Sequence, residues 1–198
     1  MRIPYWMILA LALSGCTFSI HPVLTKDDLT KDVDLSGEWE RVPPASDTSN
    51  SEPYVVVLAG FDSNSAYDAE WKYVAQEFDV RVGKIGDQRI LQFIRSDLLL
   101  KDDAPVLAKL PVYGFARFEL QGNELRVFPV DDRGVRKLLG RQDIAFRDYK
   151  PTDMLEWCVI SERTSRLQQL IREHGDALFH KEPQRFRRTT NSTPEGKK

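Results

Sequence analysis

Thiols, imidazoles and paired carboxylates are the groups in this chain able to do chemistry, and their spacing decides which chemistry is open to them. The cysteines are two, Cys16 and Cys158, and the histidines three, His21, His174 and His180. They make neither His-x-x-x-His nor Cys-x-x-Cys spacing, so no zinc site is expected. A nucleophilic thiol needs a base beside it. Cys158 sits instead in the apolar, strand-like run Leu155-Glu156-Trp157-Cys158-Val159-Ile160, which predicts a buried, inert sulfur, and His174 and His180 lie beyond a predicted helix. The carboxylate pairs Glu38/Glu40, Asp102/Asp103 and Asp131/Asp132 are the candidates for acid–base work. With Trp39 pointing inward, however, Glu38 and Glu40 share the solvent side of their strand. No phosphate-cradling glycine loop and no Gly-x-Ser-x-Gly elbow occurs. No catalytic residue, metal ligand or dissociable cofactor is expected, and the chain reads as a non-enzyme.

Cys16 has a different setting. Ile3 to Leu13 is an apolar run behind Arg2, and it is too short to span a bilayer, which takes about 20 residues. It reads as the core of a signal peptide over residues 1–15, with small Ser14 and Gly15 suited to a peptidase. The segment Leu13-Ser14-Gly15-Cys16 resembles the lipobox of bacterial lipoproteins at every position. That resemblance implies cleavage between Gly15 and Cys16, a diacylglyceryl thioether on the Cys16 sulfur and an acyl group on the new amino terminus. The chemistry requires the nucleophilicity of sulfur. One acyl chain binds a membrane marginally and two bind it stably, at about 0.8 kcal/mol per buried methylene. With Cys16 acylated, no intramolecular disulfide remains. Thr17, rather than aspartate, follows the cysteine; in a Gram-negative envelope this implies the outer membrane, with the soluble part facing the periplasm. The alternatives are a secretory signal with an incidental cysteine, or an uncleaved anchor.

The elements behind these groups are mostly strands. Residues 16–34 are polar and charged, with Pro22 and the loose repeat Thr25-Lys26-Asp27-Asp28-Leu29/Thr30-Lys31-Asp32-Val33-Asp34, and they read as a lipidated N-terminus and flexible tether. Leu35 to Val42 is the first expected strand and Tyr54 to Ala59 the second. Tyr67 to Tyr73 is compatible with strand or helix, and the alternation of Phe78, Val80 and Val82 after it favours strand. Gly86-Asp87 and Gly122-Asn123 mark two hairpins. Asp131-Asp132 caps a short helix, Arg133 to Leu139, that Gly140 stops, and 143–149 is expected to link. A strand leads to Ile160. A helix opens at Ser161 to Thr164 and ends near His174 at Gly175, with Leu167, Leu170 and Ile171 on one face. Gln184 to Arg188 is the last strand, and 189–198 a disordered tail.

This pattern predicts a mainly β chain: one domain over 35–188, an antiparallel barrel or strongly curved sheet with one or two short helices near the C-terminus. Leu35-Ser36-Gly37-x-Trp39 resembles the Gly-x-Trp that opens lipocalin-like, or calycin, barrels, which implies a bend at Gly37 and a plug at Trp39. Lipobox, tether, Leu-Ser-Gly-x-Trp, the hairpin Phe115 to Leu125, Phe128-Pro129-Val130-Asp131, Leu178-Phe179 and Phe186-Arg187-Arg188 together resemble a set of bacterial lipoproteins without an established activity. The implied properties are a fold and an address, with no active site.

Net charge is −2 for 198 residues, so no bulk field draws nucleic acid. Two roles remain open. The first is an interaction or structural module held at a membrane, its partners being membrane lipid and an envelope protein. The second is a carrier of a small hydrophobic ligand, with aromatic residues such as Trp39, Tyr54, Trp71, Tyr73, Phe78, Phe93, Tyr113, Phe115, Phe118 and Phe128 lining a cavity. An envelope hydrolase ranks last.

Overall fold

The computed structural model describes residues 17–43, 55–61, 66–71, 76–95, 112–142, 144–149 and 157–189. Their elements run β1 (Thr17–Ser19), a 3-10 turn (Lys26–Asp28), β2 (Gly37–Val42), β3 (Val55–Phe61), β4 (Ala66–Trp71), β5 (Gln76–Ile85), β6 (Gln88–Arg95), β7 (Val112–Gln121), β8 (Glu124–Pro129), α1 (Asp132–Gln142), β9 (Phe146–Tyr149), β10 (Trp157–Ile160), α2 (Thr164–Leu178) and β11 (Gln184–Arg188). The chain is β-rich, and the strands expected from alternation are present. Both two-residue hairpin turns form where a glycine supplies positive φ, 60° at Gly86 and 58° at Gly122.

Antiparallel pairs join β2 to β8 in sequence, and β11 lies between β2 and β8. β6 also pairs with β7, from Ile90↔Arg117 to Arg95↔Val112. β1 meets β7 at Ser19↔Tyr113 and runs parallel to β10 through Thr17↔Cys158, Phe18↔Val159 and Ser19↔Ile160. The expectation of a wholly antiparallel sheet is thereby corrected: the 11-stranded sheet is mixed. Parallel neighbours need a long crossover, and here most of the domain lies between β1 and β10. The sheet as a whole stays open, because among the described residues β9 pairs with β10 alone.

Side chains alternate along β5 to β8, yet both faces are buried. Val80, Val82, Leu91, Ala116, Phe118, Leu125 and Val127 join Trp39, Leu58 and Phe186 in one core. Their neighbours Ile90, Phe115, Phe128 and Val130 face the other way into a second core, with Val135 and Leu139 of α1 and Leu167, Leu170 and Ile171 of α2. Phe115 meets Phe179 edge to face at 6.2 Å. The two helices, with Cys158 and Ile160 of β10, thus cover the second core.

The stretch read as a tether packs into both cores, Val23 and Leu24 into the second and Val33 into the first. Thr17 and Ser19 are buried as well. Three side chains satisfy its backbone where the sheet does not. Gln92 Oε1 accepts the N–H groups of Val23 (2.6 Å) and Leu24 (2.9 Å). Gln168 Nε2 donates to Val23 O (3.0 Å) and Asp28 Oδ2 (2.7 Å), and Thr164 Oγ1 donates to Pro22 O (2.6 Å). The segment then crosses Gly83, where a Cβ would sit 2.6 Å from Asp28 O, so close approach is what demands a glycine there. Residues 17–34 are therefore part of the folded unit that was expected to span 35–188, and not a free tether to it.

Three smaller expectations also change. α1 continues through Gly140 to Gln142, since Gly140 does not adopt the left-handed turn that would end it. The segment expected only to link carries β9 over Phe146–Tyr149, a short polar strand held on β10. α2 runs past Gly175 to Leu178, with a non-helical residue at His174 marking a kink.

Candidate functional site

Residues 1–16, including Gly15 and Cys16, lie outside the described residues, and the site nearest them is built on Thr17. The β1–β10–β9 register places Thr17, Cys158 and Asp148 in one row. Thr17 Oγ1 donates to Asp132 Oδ1 (2.9 Å), Arg136 Nε donates to Asp132 Oδ2 (2.8 Å), and Arg136 Nη1 donates to Asp148 Oδ1. Burial works against the Arg136 charge, but Asp132 and Asp148 outweigh it and raise its pKa. Asp131 caps α1: its Oδ1 accepts the N–H of Arg133 (3.1 Å). At Gly134 a Cβ would fall 2.2 Å from Ala177 O, so only glycine lets α1 and α2 come this close.

Cys158 lies inside this cluster, and burial pushes its thiol up to about 12; Arg136 pulls it down, Asp132 and Asp148 push it up, and the Thr17 hydrogen bond lowers it. A thiol so placed stays protonated and does not act as a nucleophile at neutral pH. The cluster is a structural clasp between β1, α1 and β9.

The second candidate is the interior. Trp39 is 1% exposed, and its Nε1 donates to Leu35 O (2.8 Å). Gly37 bends the chain there at φ 120°. The Arg188 guanidinium stacks 4.7 Å above the Trp39 ring while its Nη2 donates to Asp34 O (2.7 Å). Beside Trp39 lies a cavity of about 40 Å³ whose lining among the described residues is apolar, with Val56, Leu58, Val80, Phe93 and Phe186 part of it. That space suits a water or two by size but offers water no polar partner.

Of the aromatic residues expected to line a cavity, Trp39 and Phe93 do so and Phe118 packs beside them. Phe115 and Phe128 face the second core instead, because they occupy the opposite parity of their strands. Tyr54 and Tyr73 lie outside the described residues, as do Asp102 and Asp103. Glu38 and Glu40 flank Trp39 on β2, half-buried, and Asp131 and Asp132 serve α1 as cap and clasp. Among the described residues, no group of three or more His, Cys, Asp or Glu is placed to hold a metal ion. No described helix is long and apolar enough to cross a membrane. Sequence reasoning missed Gln92 and Gln168, whose partners are distant in the chain, and Arg136, whose i,i+4 spacing to Asp132 was the one local signal. No family model, curated protein or solved structure matches the chain.

Proposed function

We propose that the chain is a lipid-anchored cell-envelope protein, acylated on Cys16 after cleavage behind Gly15, whose folded part is an interaction or structural module rather than an enzyme. The reading draws on Leu13-Ser14-Gly15-Cys16. The observation that carries it further is that the residue directly after Cys16, Thr17, is already a buried strand residue of the domain. In a Gram-negative cell the anchor would lie in the outer membrane, with the domain in the periplasm.

The strands β2 to β8 and β11 compose a lipocalin-like barrel in this reading, supported by the β6–β7 pairing and by Trp39 set behind Gly37. A carrier of a small hydrophobic ligand is the second reading, favoured by the apolar cavity. Its volume of about 40 Å³ is well below the roughly 300–1,000 Å³ of ligand pockets, which favours the module. Labelled fatty acid supplied to cells should enter the wild-type protein and not Cys16→Ser; label retained by the variant would refute the anchor.

A further inference from the structure

We infer that the outer face of α1, with the adjoining end of β9 and β10, rests on an anionic lipid headgroup surface; this rests on acylation of Cys16. Chain length is the first reason. The Cα atoms of bonded residues lie about 3.8 Å apart, and Thr17 is buried, paired with Cys158 and hydrogen bonded to Asp132. No slack chain separates the acylated sulfur from the domain, so the anchor brings one patch down onto the bilayer. That patch holds the N-terminus of α1 and the start of β10. At this same end the register pairs Trp157 of β10 with Tyr149 of β9, two residue types favoured at headgroup depth.

Charge is the second reason. Arg133, Lys137 and Arg141 recur every four residues on α1 and are exposed, while Val135 and Leu139 face the core. Among the described residues no carboxylate pairs with these three side chains. Among the described residues the acids nearby are engaged: Asp132 and Asp148 by Arg136, Asp131 by the backbone N–H of Arg133, and Glu162 by that of Ala145. Arg147 on β9 adds another exposed cation. A chain of net charge −2 thus turns a positive face toward its own anchor. Each such cation raises the docked-to-free ratio roughly fivefold, and three together roughly a hundredfold.

Gly140 gives a labelling position, because it is exposed and nothing lies within 4 Å of a Cβ built there. Full-length acylated Gly140→Cys carries one reactive thiol, Cys158 being buried, and takes a fluorophore. The protein is reconstituted into vesicles with brominated acyl chains, either containing phosphatidylglycerol or of phosphatidylcholine alone. Quenching in the anionic vesicles should be strong, should fall as salt is raised toward 1 M, and should be lost in Arg133→Glu/Lys137→Glu/Arg141→Glu. A label at Gln121, at the opposite end of β7 from the Ser19–Tyr113 pair, should stay bright. Equal quenching in both lipids, or an anchored protein whose Gly140→Cys label is unquenched at low salt, overturns the inference and leaves the anchor standing. Absence of fatty acid by mass overturns the anchor and the docking with it. The salt titration decides the matter even where the triple variant fails to fold.

Discussion

Replacing Gln92 by leucine separates a built-in N-terminal segment from a free tether. Gln92 is fully buried, and its Oε1 takes two backbone N–H groups, those of Val23 and Leu24. Leucine leaves both donors unpaired inside the protein, at roughly 1–3 kcal/mol each. The substitution also removes Gln92 Nε2, which is buried without a partner, and so returns about 1–2 kcal/mol. The net expected loss is about 2 kcal/mol, or about 4–8 °C in Tm for a domain of this size. Gln168→Leu breaks the bond to Val23 O on the same segment, so the two changes should not add: once one frees the segment, the other costs less. Urea unfolding of both single variants and the double variant measures these terms, and limited proteolysis should cut the variants within residues 20–34 first. Were the segment free, leucine at position 92 would be neutral or stabilising and the double variant strictly additive; that outcome refutes the reasoning.

Gly134→Ala should destabilise by roughly 1–3 kcal/mol, since its Cβ would meet the backbone oxygen of Ala177, while Gly140→Ala, in open space, should stabilise by up to about 1 kcal/mol; thermal melts order the two. Glu124 is lowered to about 2 by Arg185 and Arg126, and Asp32 to about 2 by Lys84 and Thr30. Both are depressed acids, so their stabilising contribution is present above the ordinary carboxylate range and lost as pH falls from about 4.5 to about 2; Glu124→Gln should flatten that part of the acid unfolding curve. Cys158 should resist alkylation at pH 8 in the native protein and react only on unfolding, and labelling at a rate independent of unfolding would contradict its burial.

The strands were legible because their signals are local. Val80 and Val82 alternate with charged or small residues, and Gly86-Asp87 and Gly122-Asn123 announce their turns within two residues. The second core was not legible. Consecutive apolar residues such as Val127 and Phe128 are buried on opposite faces, and one sequence cannot say what covers the second face. Charged Lys26, Asp27, Asp28, Lys31 and Asp32 hid the packing of Val23, Leu24 and Val33, and the amides that hold Val23 come from β6 and α2. β9 escaped notice because Phe146 to Asp148 stay exposed, and what holds it, the β10 ladder and Arg136 of α1, lies elsewhere in the chain. The candidate site is similarly divided: Cys16 is marked by its neighbours in sequence, whereas the Thr17–Asp132–Arg136–Asp148 clasp exists only once β1 lies beside β10.

Acylation of the first mature residue is tested most directly by the intact mass of protein extracted from membranes with detergent. The expected species is a chain beginning at Cys16 that carries a diacylglyceryl group and an amide-linked acyl chain. A mass matching an unmodified chain, or a chain starting at any other residue, would contradict it.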